Sequence, residues 1–424
     1  MSEPGSVWQD VLTELVTGSH LVTGDGIPEL LDKVLVPTGL SAELFLVDHD
    51  QVEMRPLRPR VDGPVRVDGP VRVDGPVRVD GPVRVDGTLP GRAFQLNEVL
   101  DDRDDGETVL WVPLVDGVER LGLIRFGLLV GADPADPVLQ KHCAVLAGLT
   151  AHVIASKFEQ SDTLPVVRRT RPMSVAGELL WQLLPPLTVA GRELALAAVL
   201  EPSYDVSGDA FDYALDATQA QFSIFDSSGH DLSAGLTTSV TLAASRAARR
   251  GGDDLLGVAA RIDTSLIEQF EDFRFVTGVL AHLDVRSGRL RYVNAGHPAP
   301  VLLRGGKAVR ELRDGRRMPF GRIASWVPQP QEVGEEYLEP GDLLLLHSDG
   351  VVEARDADGT EFGVERLVEL AERAAADRLP APETLRRLAQ AVREHRSSEL
   401  HDDATLMLVE WSGSAAARLL PRIP

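Results

Sequence analysis

A single cysteine, Cys143, occurs in 424 residues, so no intrachain disulfide framework can form and a reducing compartment fits. Basic residues are also in short supply. Lys and Arg number 43 against 65 Asp and Glu, a formal charge of −22. This balance argues against nucleic acid as a partner, because phosphates demand a basic footprint, and it disfavours an anionic membrane surface. No apolar run approaches the ~20 residues that span a bilayer. The opening MSEPGSVWQDVLTELV has no basic segment leading into an apolar core, so no secretory leader is expected. A cytoplasmic protein with no nucleic-acid and no membrane partner is the resulting expectation.

What is present describes a globular chain, with 43% hydrophobic and 25% charged residues. Its length exceeds one ordinary core, and two domains are expected. Through residue 160 helical and strand periodicity mix. Pro28 to Leu35 reads as an amphipathic helix, Ala42 to Val47 as a strand, and Thr108 to Leu114 with Arg120 to Val130 as a strand pair. Pro137 to Lys157 reads as a long amphipathic helix with Cys143 as a small core residue. Between Val61 and Gly87 the hexapeptide VDGPVR recurs without error and stops on a partial copy. Its Asp-Gly-Pro units form turns and its prolines remove ladder donors, so a loop insertion is expected rather than a solenoid. Residues 161–188 read as a linker ending in the apolar helix AGELLWQLLPPL. A second domain at 189–414 alternates strands with two pairs of helices, Leu232 to Arg250 with Asp254 to Phe270 and Val364 to Ala375 with Pro382 to His395. That order suggests antiparallel sheets covered by helices rather than a βαβ winding. Residues 415–424 form a tail.

The chemistry lies in aspartates where strands meet loops. Asp209 stands in DVSGDAFD between two predicted strands. Asp226 ends FSIF, Asp349 follows LLLLHS, and Asp402 and Asp403 precede ATLMLV. Hard cations such as Mg²⁺ and Mn²⁺ take oxygen ligands, and a binuclear centre needs several carboxylates. Two metals ~3.5–4 Å apart can lower the pKa of a bridging water and clamp a phosphate for in-line attack. Aspartate at a strand end is also ordinary turn chemistry, so the set carries the argument and no single residue does.

The motifs DVSGDAFD, FDSSGHD, NAGHPAPVLLR, LLLLHSDGVVEARDADGTEFGVERL and DDATLMLV, in this order, resemble SpoIIE-type (RsbU-like) serine/threonine phosphatases of the PPM superfamily. LFLVDHD, LPGRAF and VPLVDGVERLGLIRF resemble a GAF domain. Together these imply an α+β chain, with a GAF-like α/β sensor domain over 1–160 followed by a PPM-type α-β-β-α sandwich of two antiparallel sheets. The resemblance implies two Mn²⁺ or Mg²⁺ ions. Asp226 would bridge them, with the backbone carbonyl of Ser227 on the first. Asp349 and Asp402 would complete the second, and Asp209 would hold metal-bound waters. Asp403 and Gly350 would support the shell. His230 and His297 are candidates either for donating a proton to the leaving oxygen or for structural roles. Glu353 could anchor a loop, and Arg192 and Arg355 are candidate phosphate ligands. The implied partner is a phosphorylated anti-sigma-factor antagonist, with a small-molecule ligand for the sensor and a homodimer through helices near Val138–Lys157 and Ala176–Leu184. Two departures stand out. The family's paired glycine before the first aspartate is Ser207-Gly208 here, and its Gly-His-Gly is Gly229-His230-Asp231, where Asp231 could cap the next helix.

Overall fold

The computed structural model describes residues 4–59, 79, 81–104, 106–205, 208–229, 231–329, 332–396 and 403–422. They divide into two compact units, Met1–Thr170 with Leu419–Pro424, and Arg171–Arg418.

In the first unit the described strands form an antiparallel sheet. Its order is Val83–Arg84, Glu53–Leu57, Ser41–Val47, Glu119–Gly127, Glu107–Asp116, Leu100–Asp104. Both faces are covered, which is why the inner strands read as near-continuous apolar runs. Leu44, Leu46, Leu110, Val112, Ile124 and Phe126 face one core, and Phe45, Val47, Met54, Trp111 and Leu123 face the other. The helix Pro137–Lys157 starts at Asp136, whose side chain accepts from the Val138 N–H. It is apolar and long enough to cross a membrane by length and composition, contrary to the expectation above. Its Cys143, Leu146, Ala147, Ala151 and Ile154 nevertheless lie in the core of this unit, where burial pushes the Cys143 thiol up to about 12.

Most of the hexapeptide repeat lies outside the described residues, but its end is described and it packs. Val83–Arg84 pairs with Glu53–Met54, and Val85 is buried beside Phe94 and Trp111. Here the loop expectation gives way, because the helix Leu89–Leu96 fixes the chain that precedes it. Thr88 caps that helix, and a Cβ at Gly91 would meet the Val85 carbonyl at 1.8 Å. The tail also joins this unit. Leu419 is buried, and its carbonyl accepts from Asn97 Nδ2 at 2.9 Å.

In the second unit two antiparallel sheets pack face to face. One has the order Lys307–Glu311, Val301–Arg304, Asp342–His347, Ala404–Trp411, Leu194–Glu201, Thr188–Ala190. The other runs Arg289–Ala295, Phe275–Asp284, Gln219–Ser227, Asp209–Leu215, with three short strands at its margin, of which Arg316–Arg317 alone pairs in parallel. Leu196, Ala198, Leu200, Phe222, Ile224, Ala281 and Met407 fill the space between the sheets. Helices Leu232–Gly251 and Leu255–Gln269 cover one outer face through Ala248, Val258 and Ile262. Val364–Ala376 and Ala381–His395 cover the other through Leu367, Leu385 and Leu388. This is the expected helix–sheet–sheet–helix sandwich. Asp212 ties the first helix to its sheet by pairing with Arg246 at 2.7 Å and Arg249 at 3.0 Å. The linker helix Val175–Leu183 lies on the same unit, where Arg246 donates to the Leu183 carbonyl.

Strands Leu100–Asp104, Lys307–Glu311 and Gly334–Tyr337 were not legible in the sequence. Each is a polar edge strand, held by main-chain pairing rather than by an apolar face. Val85→Ala should lower the stability of the N-terminal unit by about 2 kcal/mol, read from its thermal or urea transition. An unchanged transition would return the end of the repeat to the status of a loop.

Candidate metal centre

The site is built where strands of both sheets end. Asp209 opens the strand Asp209–Leu215 rather than lying between strands, and Asp226 is the penultimate residue of Gln219–Ser227. The two are paired in register. Directly opposed residues of antiparallel strands share a face with Cα atoms about 4.5–5.5 Å apart, so two carboxylates are forced together. Thr277 lies opposite Asp226 on the other side. Its hydroxyl is 3.5 Å from Asp226 Oδ2 and 2.8 Å from His297 Nδ1.

A third carboxylate comes from the other sheet. Asp403 Oδ2 accepts from the N–H of Gly208 at 2.6 Å and of Asp209 at 3.3 Å. Ser348 closes the connection. Its hydroxyl donates to Asp209 Oδ2 at 2.7 Å and accepts from the Thr405 N–H at 2.8 Å. Burial, then the charges of Asp226 and Asp403, raise the Asp209 carboxyl well above its ordinary range, and the Ser348 hydroxyl offsets only part of this. A divalent cation would relieve such a cluster, and the donor set of carboxylate and carbonyl oxygens suits a hard one.

Two glycines are dictated by close approach. A Cβ at Gly208 would lie 2.9 Å from the Ser227 carbonyl oxygen and 3.3 Å from that of Gly229. The Gly208 carbonyl in turn accepts from Ser227 N–H and from Thr238 Oγ1, which fixes the loop carrying Ser227. At Gly350 a Cβ would lie 2.0 Å from the Asp403 carbonyl oxygen. Asp349 sits between Ser348 and Gly350, at the start of the short helix Asp349–Val352, and is half-buried. It is thus flanked on both sides by residues that touch the Asp209–Asp403 pair.

The other candidates distribute differently. Asp402, His230 and Ser207 lie outside the described residues. His297 is buried, its N–H donates to Asn294 Oδ1, and burial followed by the neighbouring His347 pulls its imidazole down to about 3. A neutral ring packed behind Thr277 suits holding Asp226 more than proton donation. Glu353 is exposed and meets Asp349 only through its backbone N–H. Arg355 spends its guanidinium on Gly359 and Glu361 of its own turn, and Arg192 is exposed before its strand. Asp231 caps the helix Leu232–Gly251, accepting from Ser233 and Ala234. Sequence reasoning missed Arg396, which donates to the Gly350 carbonyl at 3.1 Å. No local pattern links positions 46 residues apart. Among the described residues no group of three or more His, Cys, Asp and Glu side chains is placed to hold a metal ion, and Asp402 lies outside them.

Two predictions follow from this geometry. Gly350→Ala must push apart the backbones of 350 and 403, so it should cost at least about 2 kcal/mol in the thermal unfolding of this unit and lower divalent-ion affinity by calorimetry. Asp209→Asn keeps an acceptor for Ser348 but removes a like charge from the cluster. It should melt above the wild type in EDTA; a lower melting temperature would show that the three carboxylates are not in conflict.

The family described as Stage II sporulation protein E (SpoIIE) matches residues 216–412. Phosphoserine phosphatase RsbU of Bacillus subtilis (strain 168) is 22% identical over 219 residues, covering 51% of this chain and 63% of the relative. Phosphoserine phosphatase RsbP of the same organism is 26% identical over 170 residues, 39% of this chain and 41% of the relative. The chain therefore spans less than two thirds of the length of these relatives. Among solved structures, the SiaA-PP2C domain of Pseudomonas aeruginosa is 22% identical with a TM-score of 0.48, covering 56% of this chain and 94% of that one. Residues 216–412 are thus similar to the SpoIIE family, over a little under half of the chain.

Proposed function

We propose that the second unit hydrolyses phosphoserine or phosphothreonine on a protein partner with the help of two divalent cations. The observation that carries this reading is the in-register pairing of Asp209 with Asp226, with Asp403 held against them from the other sheet. Two relatives named as phosphoserine phosphatases support the reaction class. Asp226, the Ser227 carbonyl, Asp349 and Asp402 would hold Mn²⁺ or Mg²⁺, with Asp209 beside them. Such ions supply charge neutralisation at a phosphate and acidify water. The chain's own residues do the rest. Ser348 and the N–H groups at 208 and 209 fix the direction of two carboxylates, Thr277 and His297 back Asp226, and Gly208 and Gly350 let backbone oxygens approach. No side-chain nucleophile is needed, and the only cysteine is buried in the other unit.

The partner in this reading is a phosphorylated anti-sigma-factor antagonist in the cytoplasm. The first unit, an antiparallel sheet with helices, is its GAF-like sensor for a small molecule, within a homodimer. The test is phosphate release from a phosphoserine protein by the full chain with Mn²⁺. Release should stop in EDTA. Because even outer-shell partners of a metal are worth about 10–100-fold, Asp226→Asn should lower turnover at least about a hundredfold. Normal turnover by Asp226→Asn in excess Mn²⁺ would refute the assignment. A wild type that binds a phosphoprotein yet releases no phosphate would make the unit a binding module.

A further inference from the structure

Beside the metal centre the surface carries an aromatic pair that packing does not explain. Phe273 and Trp326 stack with ring centroids 5.3 Å apart at 18°, yet they are 49% and 63% exposed, and Val327 next to them is 47% exposed. Large apolar side chains left in water as a contiguous patch mark interaction sites, and tryptophan is enriched among residues that dominate binding energy. Phe273 also lies 6.0 Å from Phe275, which extends the platform toward the strand Phe275–Asp284.

The pair is fastened to the catalytic edge. Ser228, two residues after Asp226, donates both its N–H and its hydroxyl to the Phe275 carbonyl at 3.2 Å. Phe320 and Gly321, just before the segment Arg322–Trp326, pair with Val276 and Phe275. Asp263 braces the same segment, accepting from Gly321 N–H at 2.9 Å and from Arg317 at 2.5 Å. The platform is therefore pre-organised rather than a loose loop. From Phe273 to Thr277, the residue opposite Asp226, is four residues, at most about 14 Å of chain. A bound polypeptide covers that span with about four residues of its own.

Charge points the same way. The chain as a whole is strongly acidic, but Arg316 to Gln329 contains no acidic residue; with Arg317 paired to Asp263 and Arg274 to Asp272, Arg316 and Arg322 remain as cations beside the shelf against Glu271. An apolar shelf with a locally cationic flank fits an anionic phosphopeptide that carries a large apolar side chain a few residues from its phosphate. A small phosphoester carries no such side chain and would leave the shelf unused. The geometry points to Phe273 and Trp326 as the docking platform for the protein substrate, selecting an apolar residue about four positions from the phosphorylated serine or threonine. This inference rests on the phosphatase reading and gives that reading its substrate class.

The experiment uses the full chain with Mn²⁺, p-nitrophenyl phosphate, and two sets of phosphoserine dodecapeptides. The sets have Leu or Ala four residues before or after the phosphoserine. Wild type should prefer one Leu peptide by about tenfold in kcat/KM, mostly through KM. Trp326→Ala and Phe273→Ala should abolish that preference and leave p-nitrophenyl phosphate turnover within about twofold of wild type. In EDTA, tryptophan emission should shift on titration with the Leu peptide in wild type but not in Trp326→Phe, which reports binding without turnover. Equal handling of Leu and Ala peptides, an equal loss on the small ester, or no emission change would overturn the platform. A dimer by sedimentation that Trp326→Ala dissociates would instead assign this face to a second copy of the chain. Absence of turnover on every substrate, with the emission shift intact, would sink the phosphatase reading while leaving the docking surface standing.

Discussion

Asp209 and Asp226 stand directly opposite each other on neighbouring antiparallel strands, with the carboxylate of Asp403 lying against Asp209, and the rest of the second unit is arranged around that conflict. Like charges opposed across a ladder are destabilising, and buried charges are worse. The compensation visible in the protein is local. Two backbone N–H groups point at Asp403, one hydroxyl at Asp209 and one at Asp226. These donors lower the penalty without removing it.

The sandwich makes this arrangement possible because its two sheets bring their strand ends to one edge. Asp209 and Asp226 arrive from one sheet, while Ser348, Asp349 and Asp403 arrive from or beside the strands Asp342–His347 and Ala404–Trp411 of the other. The core between the sheets holds them in register, so Leu196, Ile224, Ala281 and Met407 act on the site through geometry although none lies in it. Each group has one glycine of close approach, Gly208 against Ser227 and Gly229 in the first and Gly350 against Asp403 in the second. At both positions a side chain as small as a methyl group would displace a backbone carbonyl. The family's second glycine, replaced by Ser207, belongs to the neighbouring position, while the glycine that the close approach requires is retained.

The same edge continues into the segment 316–329, where Phe320 and Gly321 pair with Val276 and Phe275. The strand Phe275–Asp284 that presents Thr277 to Asp226 begins at Phe275, and Phe273 lies two residues before it. A phosphopeptide bound as proposed would lay the residues beside its phosphate over the exposed aromatic pair.

Much of this was legible beforehand, for physical reasons. Amphipathic helices such as Val364–Ala376 and Ala381–His395 carry strong periodicity, Ala404–Trp411 carries a continuous apolar run, and the aspartates stood at strand ends in motifs of recognisable order, whereas Pro137–Lys157, expected to be amphipathic, is apolar nearly all round. Asp231 as a helix cap needed only the local chain. The polar edge strands and the packed end of the VDGPVR repeat were hidden, because their pairing partners lie far away in sequence and their side chains carry no apolar pattern. Arg396 against Gly350, His297 behind Thr277, and Phe273 on Trp326 were equally invisible. The sequence by itself determined the class of fold, the apolar residues of the cores and the carboxylates that could face a metal, since those follow from composition, local periodicity and motif order. Only the tertiary structure decided which carboxylates oppose one another, which glycines are obligatory and which aromatics stay in water, because each is a distance between residues that the chain order does not bring together.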